Sequence, residues 1–211
     1  MKTLIIVAHP DLDGSSTQAF LKASAAGVTA ATWHPVTMSV AAERQALLAA
    51  ERIVVQFPLY WYAAPALLQA WLAAVWTLPF ARQLAGKSFG VVVSLGRPLR
   101  DFHPGAAVGV SLDALLSPFA ALAQTAGMAL LPPLAIPQFA YQTEAQKARL
   151  LVRYQQYLSL AAPESFQQQA AWWQTQLAQS PEAGLLADTL AQRQARLASL
   201  RAALKEVKDD E

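Results

Sequence analysis

Four short apolar runs rich in β-branched residues, at 4–8, 28–33, 53–57 and 91–95, are separated by stretches whose apolar residues recur at helical spacing. This alternation constrains the chain most, because parallel strands need a long crossover connection and a helix usually supplies it. Runs that are apolar throughout belong to strands buried on both faces, so helices are expected on both sides of the sheet. The spacing predicts helices over 16–26, 41–50, 65–76 and 112–126. Ser15 can cap the first, Pro65 suits the first turn of the third, and Ser111 with Asp113 suits the start of the fourth. A fifth strand is expected around 129–136, where Pro132 and Pro133 favour an edge position. The expected fold class is α/β, a doubly wound parallel sheet.

After Gln142 the composition shifts to helix formers, with Leu150, Tyr154, Tyr157 and Leu158 on one face, then Phe166, Ala170, Trp173 and Leu177 on another. Beyond Pro181, Leu190, Leu197, Leu200, Leu204 and Val207 fall at a and d spacing, interrupted by Arg193. Two heptads are too few for a coiled coil. A packing or subunit-contact helix with a solvated tail over 205–211 is expected instead. The domain expectation is one unit over 1–160 and a helical extension over 161–211, packed on that unit or on a dimer partner.

Composition removes several classes. The longest apolar runs fall far short of the roughly 20 residues that a bilayer demands, so no membrane-embedded segment is expected. The first residues pass directly into a strand pattern without a signal-peptide arrangement, and a cytoplasmic address is expected. The absence of cysteine excludes disulfide frameworks and thiolate chemistry. Lys plus Arg number 16 against 14 Asp plus Glu, and the basic residues are scattered, which argues against nucleic-acid binding. Gly86-Lys87-Ser88 resembles the end of a nucleotide-phosphate loop, but Ala81 stands where the motif needs glycine, and the segment leads into a strand. Gly109-Val110-Ser111-Leu112-Asp113 fails the nucleophile-elbow pattern at its last position. Only Asp11, Asp13 and Asp101 lie near a histidine, and loop capping accounts for them, so no metal site is expected.

Ligands of open parallel sheets bind at the carboxyl ends of the strands, which directs attention to the loops after strands one, three and four. The first, His9-Pro10-Asp11-Leu12-Asp13-Gly14-Ser15-Ser16-Thr17-Gln18, brings hydroxyls and backbone N–H groups to a helix N-terminus, where an anion binds readily. The third, Phe57-Pro58-Leu59-Tyr60-Trp61-Tyr62-Ala63-Ala64-Pro65, holds three adjacent aromatics. Their cover is the protein itself, another subunit or a flat aromatic ligand. In the fourth, Ser94-Leu95-Gly96-Arg97 continuing through Arg100 to Phe102-His103-Pro104-Gly105, Gly96 allows close backbone approach, and Arg97 and Arg100 are either solvated or available to a negative charge.

Taken together, the three loops resemble the flavodoxin-like NAD(P)H dehydrogenase (quinone) family, which includes quinone reductases and the ancillary subunits of glutathione-gated potassium efflux systems. The resemblance covers about residues 1–160 and rests on Ala8-His9-Pro10 with Ser15, on Phe57 to Tyr62 followed by Pro65-Ala66-Leu67-Leu68 and Trp71, and on Gly86-Lys87. Weaker support comes from Phe102-His103-Pro104-Gly105, Ser117-Pro118-Phe119 and Gly127-Met128.

The resemblance implies a five-stranded sheet of order 2-1-3-4-5 and a noncovalent flavin, FMN with FAD as the alternative. Its phosphate would rest on Ser15, Ser16, Thr17 and Gln18, its ring against Pro58, Leu59, Tyr60, Trp61 and Tyr62, and its pyrimidine side against Ser94, Leu95, Gly96 and Arg97. His9 is a further candidate contact. The family commonly has two threonines and two glycines where this chain has Ser94 to Arg97, and asparagine where it has Gln18. Phe102 stands where a tyrosine often faces the flavin, leaving His103 as the candidate catalytic proton donor. The implied activity is NAD(P)H:quinone oxidoreduction by ping-pong hydride transfer in a homodimer. The alternative is a regulatory subunit in peripheral contact with a partner such as a potassium efflux transporter.

Overall fold

The computed structural model describes residues 1–178 without a break, and beyond them 186, 188–189, 191–193, 195–196 and 199–200. Pro181, Leu190, Leu197, Leu204, Val207 and the 205–211 tail lie outside the described residues. The chain falls into two compact units, Met1–Ser159 and Leu160–Glu211.

In the first unit, β1 (Thr3–Val7), β2 (Ala31–Pro35), β3 (Arg52–Pro58) and β4 (Ser88–Leu95) pair in parallel, with β1 between β2 and β3 and β4 beyond β3. The fifth position is occupied by two short strands, β5 (Ala129–Leu130) and β6 (Leu134–Pro137), which both pair with β4. The fold is flavodoxin-like, with sheet order β2-β1-β3-β4-β5 and a sixth strand. The second strand begins later than the apolar run at 28–33 suggests. Residues 28–30 are used in turning out of the first helix, where Val28 N–H donates to Ala25 O and Ala31 N–H donates to Val28 O, each at 2.9 Å.

The helices of residues 1–178 are α1 (Ser16–Ala25), α2 (Val40–Ala49), α3 (Ala66–Val75), the one-turn α4 (Leu78–Ala81), α5 (Leu112–Thr125), α6 (Glu144–Ser159) and α7 (Phe166–Ala178). The buried strand residues divide by alternation into two cores. Ile6, Ile53, Val55 and Val93 meet Leu47 of α2, Leu68 and Trp71 of α3 and Phe119 of α5 on one face. Ile5, Val7, Val54 and Val92 meet Leu21 of α1 and Leu150, Tyr154 and Leu158 of α6 on the other. Helices therefore cover both faces, which explains why the strands are apolar throughout. Lys87, the residue in the discarded phosphate-loop pattern, donates from Nζ to Leu48 O at 2.8 Å and to Ala50 O, satisfying carbonyls at the end of α2. In the second unit, Ala170 is the buried residue of α7, while Phe166 and Trp173 of the expected apolar face are exposed.

Pro132 and Pro133 interrupt the fifth strand, and the consequence falls on β4. Ladder pairing covers Ser88 and Phe89 on one side of the gap and Val92 to Leu95 on the other. Tyr157 of α6 fills the interval: its hydroxyl accepts from Val91 N–H at 3.0 Å and donates to Val91 O at 3.4 Å. Gly90 makes this possible, since a Cβ there would stand 2.6 Å from Tyr157 Oη and 3.0 Å from Cε1. Gly90→Ala is accordingly expected to cost about 1–3 kcal/mol, through overpacking of a well-filled site. Thermal melts check this: an unchanged Tm would show that Tyr157 yields freely.

Glu43 of α2 is fully buried. Its carboxylate accepts from Thr37 Oγ1 at 2.6 Å, Thr37 N–H at 2.9 Å and His34 Nε2 at 2.9 and 3.0 Å. His34, which sequence position alone suggests is a surface turn residue, is thus tied across from the end of β2 to α2. Burial pushes the Glu43 carboxyl up, but the bonds from Thr37 and His34 outweigh it and hold the group below the ordinary carboxylate value. A carboxyl depressed in the fold contributes stability above its unfolded pKa and loses it as pH falls through the folded one. Denaturant midpoints measured from pH ~5 down to ~3 should therefore fall more steeply in the parent than in Glu43→Gln. Parallel slopes would remove Glu43 from the acid sensitivity.

Candidate functional site

At the carboxyl ends of the strands, four loops enclose a cavity of about 320 Å³, within the roughly 300–1,000 Å³ typical of ligand pockets. Its wall comprises His9, Ser15 and Thr17 from the first loop, Pro58 to Tyr60 from the third, Ser94 to Gly96 from the fourth, and Gln138 to Tyr141 after β6. The phosphate-loop corner and the aromatic corner thus meet in one space. They also touch directly, with the rings of His9 and Tyr60 edge-on at 6.4 Å.

The first loop is braced by its own side chains. Asp11 N–H donates to His9 Nδ1 and Gly14 N–H to Asp11 Oδ1, each at 3.1 Å. Nδ1 therefore carries no hydrogen, and the neutral ring holds its hydrogen on Nε2. Ser15 caps α1, its Oγ accepting from Gln18 N–H at 3.3 Å. That bond uses a lone pair and leaves the hydroxyl hydrogen available to an anion. Ser16 is exposed and does not line the cavity. Gln18 turns inward: it is buried, and its Oε1 accepts from Gln56 Nε2 at 2.6 Å, while Gln56 Oε1 accepts from Tyr154 O–H at 2.7 Å. Its side chain ties the helix start to β3 and α6 and stands apart from the cavity wall.

The third loop turns sharply. Tyr60 and Ala63 exchange both backbone hydrogen bonds at 3.0 Å, and Trp61 and Tyr62 between them have φ of 47° and 63°. This is the two-residue arrangement that favours Asn-Gly, occupied here by two aromatics at a cost on the order of 1–3 kcal/mol each. It turns the Trp61 side chain out to 94% exposure, and neither Trp61 nor Tyr62 lines the cavity. Leu59 and Tyr60 do, with Leu59 N–H anchored on Ser94 O at 2.9 Å.

In the fourth loop, Gly96 presents bare backbone: a Cβ there would meet no heavy atom within 4 Å. Arg97 is directed away to Asp101, at 3.3 Å. Phe102 is buried in the core on the α3 side of the sheet. His103 is exposed, its Nδ1 bonded to Pro104 O at 2.8 Å, and lies off the cavity wall.

Sequence reasoning missed Gln138, Phe139, Ala140 and Tyr141. Gln138 has a left-handed backbone, φ 46°, held by its N–H donating to Leu95 O at 2.7 Å. The rule that pointed to the other loops, applied to the fifth strand, would have found them.

The cavity suits a phosphorylated flat ligand. Ser15, Thr17 and the N-terminus of the ten-residue α1 stand at one part of its wall, with Leu59, Tyr60 and Tyr141 at another. Its wall has no Lys, Arg, Asp or Glu, so an anion would be met by hydroxyls, backbone N–H groups and the helix dipole. The bare edge at Gly96 leaves room for a planar ring. Among the described residues, no helix is long and apolar enough to cross a membrane, and no group of three or more His, Asp or Glu could hold a metal ion.

A family model described as having a flavodoxin-like fold matches residues 1–158. The uncharacterized NAD(P)H oxidoreductase YdeQ of Bacillus subtilis is 35% identical over 147 residues, which cover 64% of this chain and 75% of that protein. The potassium-efflux ancillary protein KefG of Cronobacter sakazakii is 31% identical over 147 residues, 64% of this chain and 80% of that one. Among solved structures, an NADPH-quinone reductase from P. pentosaceus superposes with a TM-score of 0.75 at 45% identity, covering 77% of this chain and all of that one. General stress protein 14 of Treponema denticola, solved in complex with FMN, superposes with a TM-score of 0.68 at 30% identity, over 75% of this chain and all of that one.

Proposed function

The chain belongs to the flavodoxin-like family, and from that membership we propose that it is an FMN-dependent NAD(P)H:quinone oxidoreductase. The observation that carries this reading is the convergence of Ser15 and Thr17 with Leu59, Tyr60 and the bare Gly96 backbone around one cavity. A relative named as an NAD(P)H oxidoreductase, a solved structure named as an NADPH-quinone reductase and another solved with FMN support it.

When bound, FMN would supply two-electron redox chemistry between a reduced nicotinamide and a quinone. Hydroxyls of Ser15 and Thr17 with the α1 N-terminus would hold the phosphate, Leu59 and Tyr60 would hold the ring, and the bare backbone at Gly96 would leave space beside it. His9, with its hydrogen on Nε2, lines the cavity and is a better placed proton donor than His103. We read the protein as a cytoplasmic homodimer in which a partner covers the exposed Trp61 and Tyr62.

The purified protein should take up FMN in a visible-absorbance titration and bleach on anaerobic addition of NADPH. Double-reciprocal plots against a simple quinone should be parallel, as alternating use of one pocket requires; intersecting lines would end the shared-pocket mechanism. The similarity to KefG favours a second reading, a regulatory subunit at a potassium efflux transporter. Flavin uptake with negligible quinone turnover, together with recovery of that transporter from membranes, would favour it.

A further inference from the structure

We propose that a second cavity, which shares two wall residues with the first, is a subsite for the 2′-phosphoadenosine end of a reduced pyridine dinucleotide, held by Arg149 and Arg153. The proposal rests on the oxidoreductase reading and names the donor that reading leaves open.

The second cavity measures about 360 Å³, and Gln138 and Tyr141 line both it and the flavin cavity. The two cavities are therefore neighbours, with these two residues at their common border. Its remaining wall includes apolar surface from Pro98, Ile136 and Leu150. Tyr141, 82% exposed, stands at the shared rim with a ring free to stack on a base. A lone inorganic anion needs neither that volume nor those walls; a nucleoside uses both.

Charge selects the phosphorylated form. Arg149 and Arg153 are four residues apart on α6 and so share a face. No carboxylate lines the cavity. The nearby acids are engaged elsewhere, Glu144 with Lys147 at 2.9 Å and Asp101 with Arg97 at 3.3 Å. Among the described residues neither guanidinium has an ion-pair partner. Two guanidiniums with no acid beside them match a dianionic phosphate monoester, which the 2′-phosphate is, better than the singly charged phosphates of a pyrophosphate bridge. The helix that carries them is fastened to the sheet through Tyr154 on Gln56 and Tyr157 on Val91, so the pair stands on a rigid support.

Calorimetric titration of the purified full chain with 2′,5′-ADP and with 5′-AMP tests this directly. The parent should bind 2′,5′-ADP at least about tenfold more tightly than 5′-AMP. The doubly substituted Arg149→Gln, Arg153→Gln protein should lose that difference while its FMN affinity and circular dichroism stay unchanged. In turnover, the preference for NADPH over NADH should shrink by the same factor, through KM. Equal binding of the two nucleotides by the parent, or an undiminished difference in the double variant, overturns the subsite. FMN titration of the same samples separates the two levels. Failure to take up FMN sinks the oxidoreductase reading and the subsite with it, whereas FMN uptake with indiscriminate nucleotide binding sinks the subsite alone.

Discussion

Thr17→Glu should raise the dissociation constant for FMN by at least about 100-fold, some 2.7 kcal/mol, without destabilising the flavin-free protein. Thr17 lies in the first turn of α1 and on the cavity wall, beside the Ser15 cap. A carboxylate there faces the flavin phosphate across a few ångströms. Two unit charges at 4 Å repel by about 4 kcal/mol at an effective dielectric near 20, so the expected loss is a discounted figure. The same carboxylate suits the helix, because the first turn of α1 contains no acidic residue and its N-terminal dipole favours one. Binding and folding therefore respond in opposite directions, which a simple structural defect would not produce. Flavin fluorescence quenching gives the affinity and thermal melting of the flavin-free protein gives the stability. If affinity is retained, the phosphate does not sit at the start of α1.

Trp71→Ala should cost about 3–5 kcal/mol, as large aromatic truncations in a core do. The side chain is fully buried on α3, its ring 6.2 Å from that of Trp76, which in turn meets Phe89 of β4 at 5.9 Å. Removing it opens a cavity between α3 and the centre of the sheet and loosens the contact that fixes the helix following the aromatic loop. For a unit of this size the loss corresponds to a fall in Tm on the order of 10 °C. Trp61→Ala, measured on protein dilute enough to be monomeric, is the control: at 94% exposure in the single chain its truncation should stay within about 0.5 kcal/mol of the parent. A loss for Trp61→Ala that appears only as protein concentration rises would show that ring covered by a partner, as the homodimer reading requires, while a small change for Trp71 would contradict its burial.

Much of the site was legible because the rule locating it is topological. Once the alternating runs imply parallel strands, the carboxyl-end loops become the place to look, and nine of the residues proposed from sequence, His9, Ser15, Thr17, Pro58, Leu59, Tyr60, Ser94, Leu95 and Gly96, share one cavity wall. The remainder failed to reach the wall for separate reasons. Gln18 is recruited by a buried partner 38 residues away. Trp61 and Tyr62 are turned outward by left-handed backbone angles that nothing in an aromatic pair announces. Phe102 had a core place available to it, and an apolar ring takes such a place in preference to a wet cleft.

By itself, the sequence determined the parallel sheet and its helical cover, because burial on both faces imprints an uninterrupted apolar run on each strand and a 3.6-residue period on each helix. Only the tertiary structure decided that Tyr157 would complete a ladder broken by Pro132 and Pro133 and that Gln18 would bond to Gln56 rather than face the loop. Those outcomes depend on unsatisfied backbone groups and buried polar atoms finding partners far along the chain. Short-range periodicity contains no record of which partner will be within reach.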